Sequence, residues 1–304
     1  MKTWYWLIRR ELWEHHGSLV RAPLIAALVC LVLNGMGLLL GEVNLGGHLI
    51  HVASMSHLAS ISADQVGQGL DVLLASVVLL IGLLMGFTVF FYALGALYDD
   101  RRDHSVLFWK SLPISNTQTV LSKVLVALVV APAITLGVGL VAGLTLLAMA
   151  SLVMVYHGLP LEWWFAAHPL RVIGTLLSLW PIYVLSALPT VGWLLLCSAW
   201  ARGKPFLWAV VLPVGAAMML TWLQWMGLPN LHAWAGLGQL LLGTFPMATS
   251  GLTLHHWGHS DGWTGLVGNV WSAAMSAPAL WIGALLGVVL VAGAIAGRRR
   301  CVGA

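Results

Sequence analysis

Charge is what this 304-residue chain has least of: Asp, Glu, Lys and Arg make up 8% of it, where a soluble domain carries about 25%. That scarcity excludes an ordinary water-soluble surface. Cysteine is scarce too, and the three present form no disulfide framework, because Cys30 and Cys197 fall in apolar runs and Cys301 in a basic tail. The Gly-rich GxxxxGK[ST] cradle that binds nucleotide phosphates is absent, since Gly203-Lys204 is followed by Pro205, so this chain carries no ATP chemistry of its own. Nor does an Asp, Glu, Lys or Arg fall in the middle of an apolar run, which argues against a carrier that moves protons or sodium through a buried carboxylate. The net charge of +4 rests on residues flanking apolar runs instead of forming a soluble patch, so nucleic acid is not an expected partner. The first apolar run lies too far in, and is too long, for a cleaved secretory signal.

Long uncharged stretches are what is present: Pro23 to Gly41, Val72 to Tyr98, Val124 to Leu161, Val172 to Ala201, Pro205 to Ser260 and Gly262 to Gly297. Each exceeds the roughly 18 apolar residues at which a spanning helix is the default reading. They predict an all-α integral membrane protein of one domain, 1–304, with six transmembrane helices over 23–41, 72–98, 124–155, 172–200, 206–226 and 279–297. An even number of spans puts both termini on one side. All of the 14 Lys and Arg except Arg171 then share that side, which the positive-inside rule makes cytoplasmic.

Ala235 to Leu254 is apolar enough to be a seventh span but contains Gly236, Gly238, Gly243, Pro246 and Gly251. If it crossed, Arg298, Arg299 and Arg300 would lie outside, against the charge rule. Re-entrant helices within an outer segment, 227–278, are the expectation, because irregular backbone at membrane depth survives only under protein or beside a water-filled cavity. No internal repeat is evident.

The segment LYDDRRDHSVLFWKSLPISNTQTVLSK, residues 97–123, concentrates the charge of one face. Asp103 is placed to cap a short helix over His104 to Ser111, Pro113 stops it, and Ser115 with Gln118 forms a capping box that opens the third span. A solvated loop gains nothing by displaying Phe108 and Trp109, so the short helix rests on the membrane interface or in a groove of another protein. This arrangement, with an acidic and basic cluster, an apolar turn and Ser111-Leu112-Pro113-Ile114-Ser115, resembles the permease family of type-2 ATP-binding-cassette (ABC) exporters.

The resemblance implies that residues 99–123 hold a coupling helix seated in a separate ATPase subunit, with Asp99, Asp100, Arg101, Arg102, Phe108, Trp109, Lys110, Leu112 and Pro113 as the contact set. It implies two ATPase subunits that supply ATP and Mg, no cofactor in this chain, a second permease subunit identical to this one, and the bacterial inner membrane. It also implies an interfacial helix over 1–22, where Trp4, Ile8 and Leu12 form a stripe, Arg10 and Glu14 face away, and Trp6 and Trp13 fall off the stripe. The family places its pathway between two copies, lined by the second and fifth spans. Here those spans carry Met85, Thr88, Met218, Thr221 and Gln224, few polar groups beside adaptable apolar surface.

Nine of the 12 histidines map to the outer side, and His255, His256 and His259 are weak candidates for a metal site, without an acidic or Cys partner at a convincing spacing. Two rivals to the exporter permease stay open. One is a membrane-embedded histidine metalloenzyme, the other a membrane scaffold that transports nothing.

Overall fold

The computed structural model describes residues 2–40, 42–45, 48–51, 63–102, 115–156, 167–201, 203–226, 233–245, 271–272 and 274–303. Helix α1, Lys2–Glu14, leads through a π-turn at Gly17–Arg21 into α2, Ala22–Leu40. The one departure from helix among the described elements is a hairpin of β1, Glu42–Leu45, and β2, His48–His51, paired antiparallel with Val43 opposite Ile50. Then follow α3, Ala63–Arg102; α4, Asn116–Leu125; a second π-turn, Val126–Val130; and α5, Ala131–Tyr156. The chain closes with α6, Pro169–Trp200; a third π-turn, Leu207–Val211; α7, Leu212–Trp225; α8, Ala233–Leu242; and α9, Pro278–Gly303.

Six helical stretches are long and apolar enough to cross a membrane: Gly17–Gly37, Val66–Arg102, Asn116–Val153, Pro169–Trp200, Leu207–Trp225 and Pro278–Arg299. They overlap the six expected spans one for one. Helix α3 is longer than its uncharged core, since 40 residues reach about 60 Å at 1.5 Å each, twice a hydrocarbon core of roughly 30 Å. The extension at its first end brings in Asp71, which lies one residue outside the uncharged run. Asp71 is buried and accepts the backbone N–H of His168 at 2.9 Å, where α6 begins.

Ties near both ends hold α3 and α6 parallel. Asp71 and His168 join the starts of α3 and α6, and the Ser198 hydroxyl joins their ends by accepting the N–H groups of Leu97 at 3.0 Å and Tyr98 at 2.9 Å. The tightest helix pair is α6 with α9. A Cβ on Gly192 would lie 2.8 Å from the Gly287 carbonyl, and one on Gly287 would lie 2.8 Å from the backbone at Leu188–Pro189, so the two helices meet backbone to backbone.

All three π-turns among the described residues sit just before a proline. The N–H groups of Ala22, Ala131 and Leu212 donate to the carbonyls of Gly17, Val126 and Leu207, five residues back, and Pro23, Pro132 and Pro213 come next. A proline cannot serve the carbonyl four residues behind it and its ring crowds that group, so the widened turn relieves both problems. At the third turn the deserted carbonyl is that of Ala209, and it accepts the Trp193 indole N–H at 3.0 Å.

Helix α8 has ten residues, about 15 Å of helix, which is half a span. It starts beside the far end of α7, where the Trp234 indole donates to the Thr221 hydroxyl at 2.7 Å. Its end turns inward: the Tyr183 hydroxyl donates to the Thr244 carbonyl at 3.2 Å, and the Phe245 ring lies edge-on to Phe87 at 4.7 Å over the bare surface of Gly86. Phe245 thus reaches the middle of α3, the geometry of a re-entrant segment.

Candidate functional site

The ends of α3 and α4 that flank residues 103–114 meet α1 and α9 in one buried charged cluster. Glu11 of α1 and Lys123 of α4 are each about 1% exposed and form an ion pair, with Nζ 3.0 Å from Oε1 and 3.2 Å from Oε2. The Tyr92 hydroxyl donates to Glu11 Oε2 at 2.9 Å. Asp100, at the end of α3, lies 3.5 Å from Lys123 Nζ, 3.5 Å from Arg298 Nη1 and 3.9 Å from Arg10 Nη2. Arg10 also pairs with Glu14 at 2.7 Å.

Desolvation decides how such a cluster behaves. Each ion withdrawn from water costs several kcal/mol, so the pairs hold because each charge meets an opposite one at short range and further hydrogen bonds fill the remaining lone pairs. Burial pushes the Glu11 carboxyl up. Lys123, the Tyr92 hydroxyl and Arg10 together outweigh it and hold the carboxyl below its ordinary range, so Glu11 is ionised at neutral pH. Burial lowers Arg10, but Glu14, Glu11 and Asp100 raise it overall.

A second set of contacts fastens the same corner. Arg101 donates through one guanidinium nitrogen to the carbonyls of Ser198 and Ala201, covering the end of α6. Of the expected contact set, Asp100 and Arg101 thus turn inward to partners in this chain, while Asp99 and Arg102 are exposed. Phe108, Trp109, Lys110, Leu112 and Pro113 lie outside the described residues, as does the short helix expected over His104 to Ser111. The capping box is present: the Gln118 N–H donates to Ser115 Oγ at 3.2 Å and the Ser115 N–H to Gln118 Oε1 at 3.1 Å.

Sequence reasoning missed Glu11, Tyr92 and Ser198, took Arg298 as a topology marker, and placed Lys123 at the end of the coupling segment without its buried partner. The available signal was Glu11 itself, one helical turn from Leu7 beside the stripe of Trp4, Ile8 and Leu12. A carboxylate on an apolar face needs a cation. Arg10, expected to face away, instead reaches over to Asp100.

The expected pathway residues divide between two surroundings. Met85 lines a cavity of about 140 Å³ between α3, α5 and α6, together with Gly82, Thr135, Trp180 and Tyr183. Met218 is exposed on α7 and Gln224 is partly buried. Thr88 and Thr221 return their hydroxyls to their own helices, at Leu84 and Ala217, 3.0 and 2.8 Å away. Of the five, Met85 alone lines this cavity.

His255, His256 and His259 lie outside the described residues. Among the described residues the one grouping with metal-ligand spacing is Glu11, Glu14 and His15. Its carboxylates are already engaged by Lys123, Tyr92 and Arg10, and the His15 ring packs edge-on against Tyr92 at 4.8 Å. That arrangement is an ion-pair network, not a ligand set. No family model matches the chain, and neither a curated protein nor a solved structure is significantly similar to it.

Proposed function

We propose that this chain is the membrane-spanning permease subunit of an ATP-driven exporter of the type-2 ABC kind, working as two copies with two separate ATPase subunits that bind ATP and Mg. The reading places the basic end of the bundle in the cytoplasm of a bacterium, in its inner membrane, and residues 99–123 in contact with the ATPase. The pathway would run between the copies, past Met85, Thr88, Met218, Thr221 and Gln224. On this reading the chain itself is not an enzyme.

The observation that supports it most is the charged cluster. The helix that precedes residues 103–114 is tied down by Asp100 and Arg101 and the helix that follows them by Lys123, and these side chains reach α1, α6 and α9. A force applied to those two helix ends therefore meets three further helices through short contacts instead of dissipating in a slack tether. A transmission element needs that property, and a passive scaffold has no use for it.

Affinity purification of the tagged chain from its native membrane is the test, and a copurifying ATPase is the expected result. In that complex Phe108→Ala with Trp109→Ala is expected to leave ATP hydrolysis running while transport falls at least about tenfold, a loss of about 1.4 kcal/mol in coupling. A chain that purifies without any ATPase, or a double variant that keeps full coupled transport, would overturn the assignment.

A further inference from the structure

Helix α1 has two dissimilar faces. Leu7 and Glu11 are buried against the bundle, whereas Tyr5, Trp6 and Trp13 on the opposite face are 57–67% exposed. Between the two indoles lies Arg9, three residues after Trp6 and four before Trp13, with its guanidinium carbon 5.2 Å from one ring centroid and 4.7 Å from the other. Tyr5 meets Trp6 edge-on at 5.7 Å. The neighbouring Arg10 is taken up by Glu14 and Asp100, but among the described residues no carboxylate pairs with Arg9.

We propose that this Trp6–Arg9–Trp13 face is a binding surface for the headgroups of anionic phospholipids. Location is the first reason. Helix α1 runs through His15 and His16 straight into the first spanning stretch at Gly17, so it sits within a turn or two of the membrane boundary. Tryptophan and tyrosine settle at headgroup depth, where one side of the ring is apolar and the other wet.

Charge complementarity is the second reason. A guanidinium stacked on indole faces keeps its N–H groups free at the edge, arranged as a fork that matches phosphate oxygens. The two rings hold the fork in place before any lipid arrives, which lowers the ordering cost of binding. Arg21, Arg102, Lys204 and Arg299 are exposed at the same end of the molecule and make the surrounding field positive. This inference needs only a membrane-spanning chain and stands apart from the exporter reading.

The test uses the full chain in nanodiscs of equal phosphatidylglycerol and phosphatidylcholine, with retained lipids counted by native mass spectrometry. Wild type is expected to enrich phosphatidylglycerol, and Arg9→Gln to lower that enrichment about fivefold, the equivalent of the roughly 1 kcal/mol that one basic side chain contributes at an anionic surface. Arg9→Lys retains the charge without the stacked fork and is expected to fall between the two. Trp6→Leu with Trp13→Leu, which leaves Glu11 and Leu7 in place, is a second route to the same loss. Arg299→Gln removes an equal charge at the same end and is expected to change the ratio little. Unchanged enrichment in Arg9→Gln, or an equal drop in Arg299→Gln, would overturn the proposal. So would a variant that keeps its lipid ratio but loses a copurifying soluble protein, because the face would then belong to that protein.

Discussion

Lys123 and Glu11 show how little a residue's sequence neighbours reveal about its cost. Lys123 stands in the capped first turns of the third spanning stretch and Glu11 in an amphipathic terminal helix, 112 positions away, yet each is the other's nearest opposite charge. Removing one partner leaves a buried ion without its counter-charge, a loss of about 3–5 kcal/mol, whereas removing both together is often close to neutral. Lys123→Met alone is therefore expected to destabilise the detergent-solubilised protein strongly, and Glu11→Gln with Lys123→Met to recover most of the loss. Denaturant titrations of the wild type, both single variants and the double variant form the cycle that measures the coupling. Strictly additive effects would mean that the pair does not interact. The same residues mark the limit of sequence reading: Ser115 and Gln118 could be recognised because both halves of a capping box lie within four positions, but the Glu11 partner depends on how distant helices pack.

Elements were legible where their cause is local and obscure where it is not. Apolar runs had to become spans, whereas α8 covers only Ala233–Leu242 and the rest of the Gly-rich stretch, from 246 on, lies outside the described residues. The three π-turns follow from Pro23, Pro132 and Pro213, but a proline in a helix can also be met by a kink, so the chain alone does not say which relief is taken. Glycine at helix contacts is equally silent, since only packing distinguishes a contact glycine from an idle one. Gly192 and Gly287 are contact glycines, and the backbones they bring together leave no room for a side chain. Gly287→Leu is expected to force α6 and α9 apart and cost about 1–3 kcal/mol or more. Gly215 on α7 has open space around its Cβ position, so Gly215→Leu serves as the control with little effect. Thermal unfolding in one detergent compares them, and equal midpoints for the two variants would mean that the close approach of α6 and α9 is not real.

For the whole molecule the decisive question is which side of the membrane each end occupies. Helices α2, α3, the α4–α5 stretch, α6, α7 and α9 are the six stretches long and apolar enough to cross, and α8, which starts beside α7 and leads to Phe245 against α3, is expected to complete no crossing. On that reading the end of α7 at Met226 and the end of α9 at Gly303 lie on opposite faces, and Ser260, which is outside the described residues, is expected on the face of Met226. If α8 and the residues after it crossed, Ser260 would move to the face opposite Met226, carrying the following helix into the reverse orientation and Arg298 and Arg299 to the wrong side of the charge asymmetry. That reversal would also separate Arg298 from Asp100, a contact at 3.5 Å that ties the last span to the end of α3. Replacing Cys30, Cys197 and Cys301 with Ala and adding single cysteines at Met226, Ser260 and Gly303 allows each site to be probed with a membrane-impermeant thiol reagent on intact cells. Labelling of Met226→Cys and Ser260→Cys is expected without lysis, and labelling of Gly303→Cys only after it, because the basic end is retained on the side that the positive residues prefer. Labelling of Met226→Cys without lysis but of Ser260→Cys only after it would require a seventh crossing, and the charged cluster joining α1, α3, α4 and α9 could not then exist.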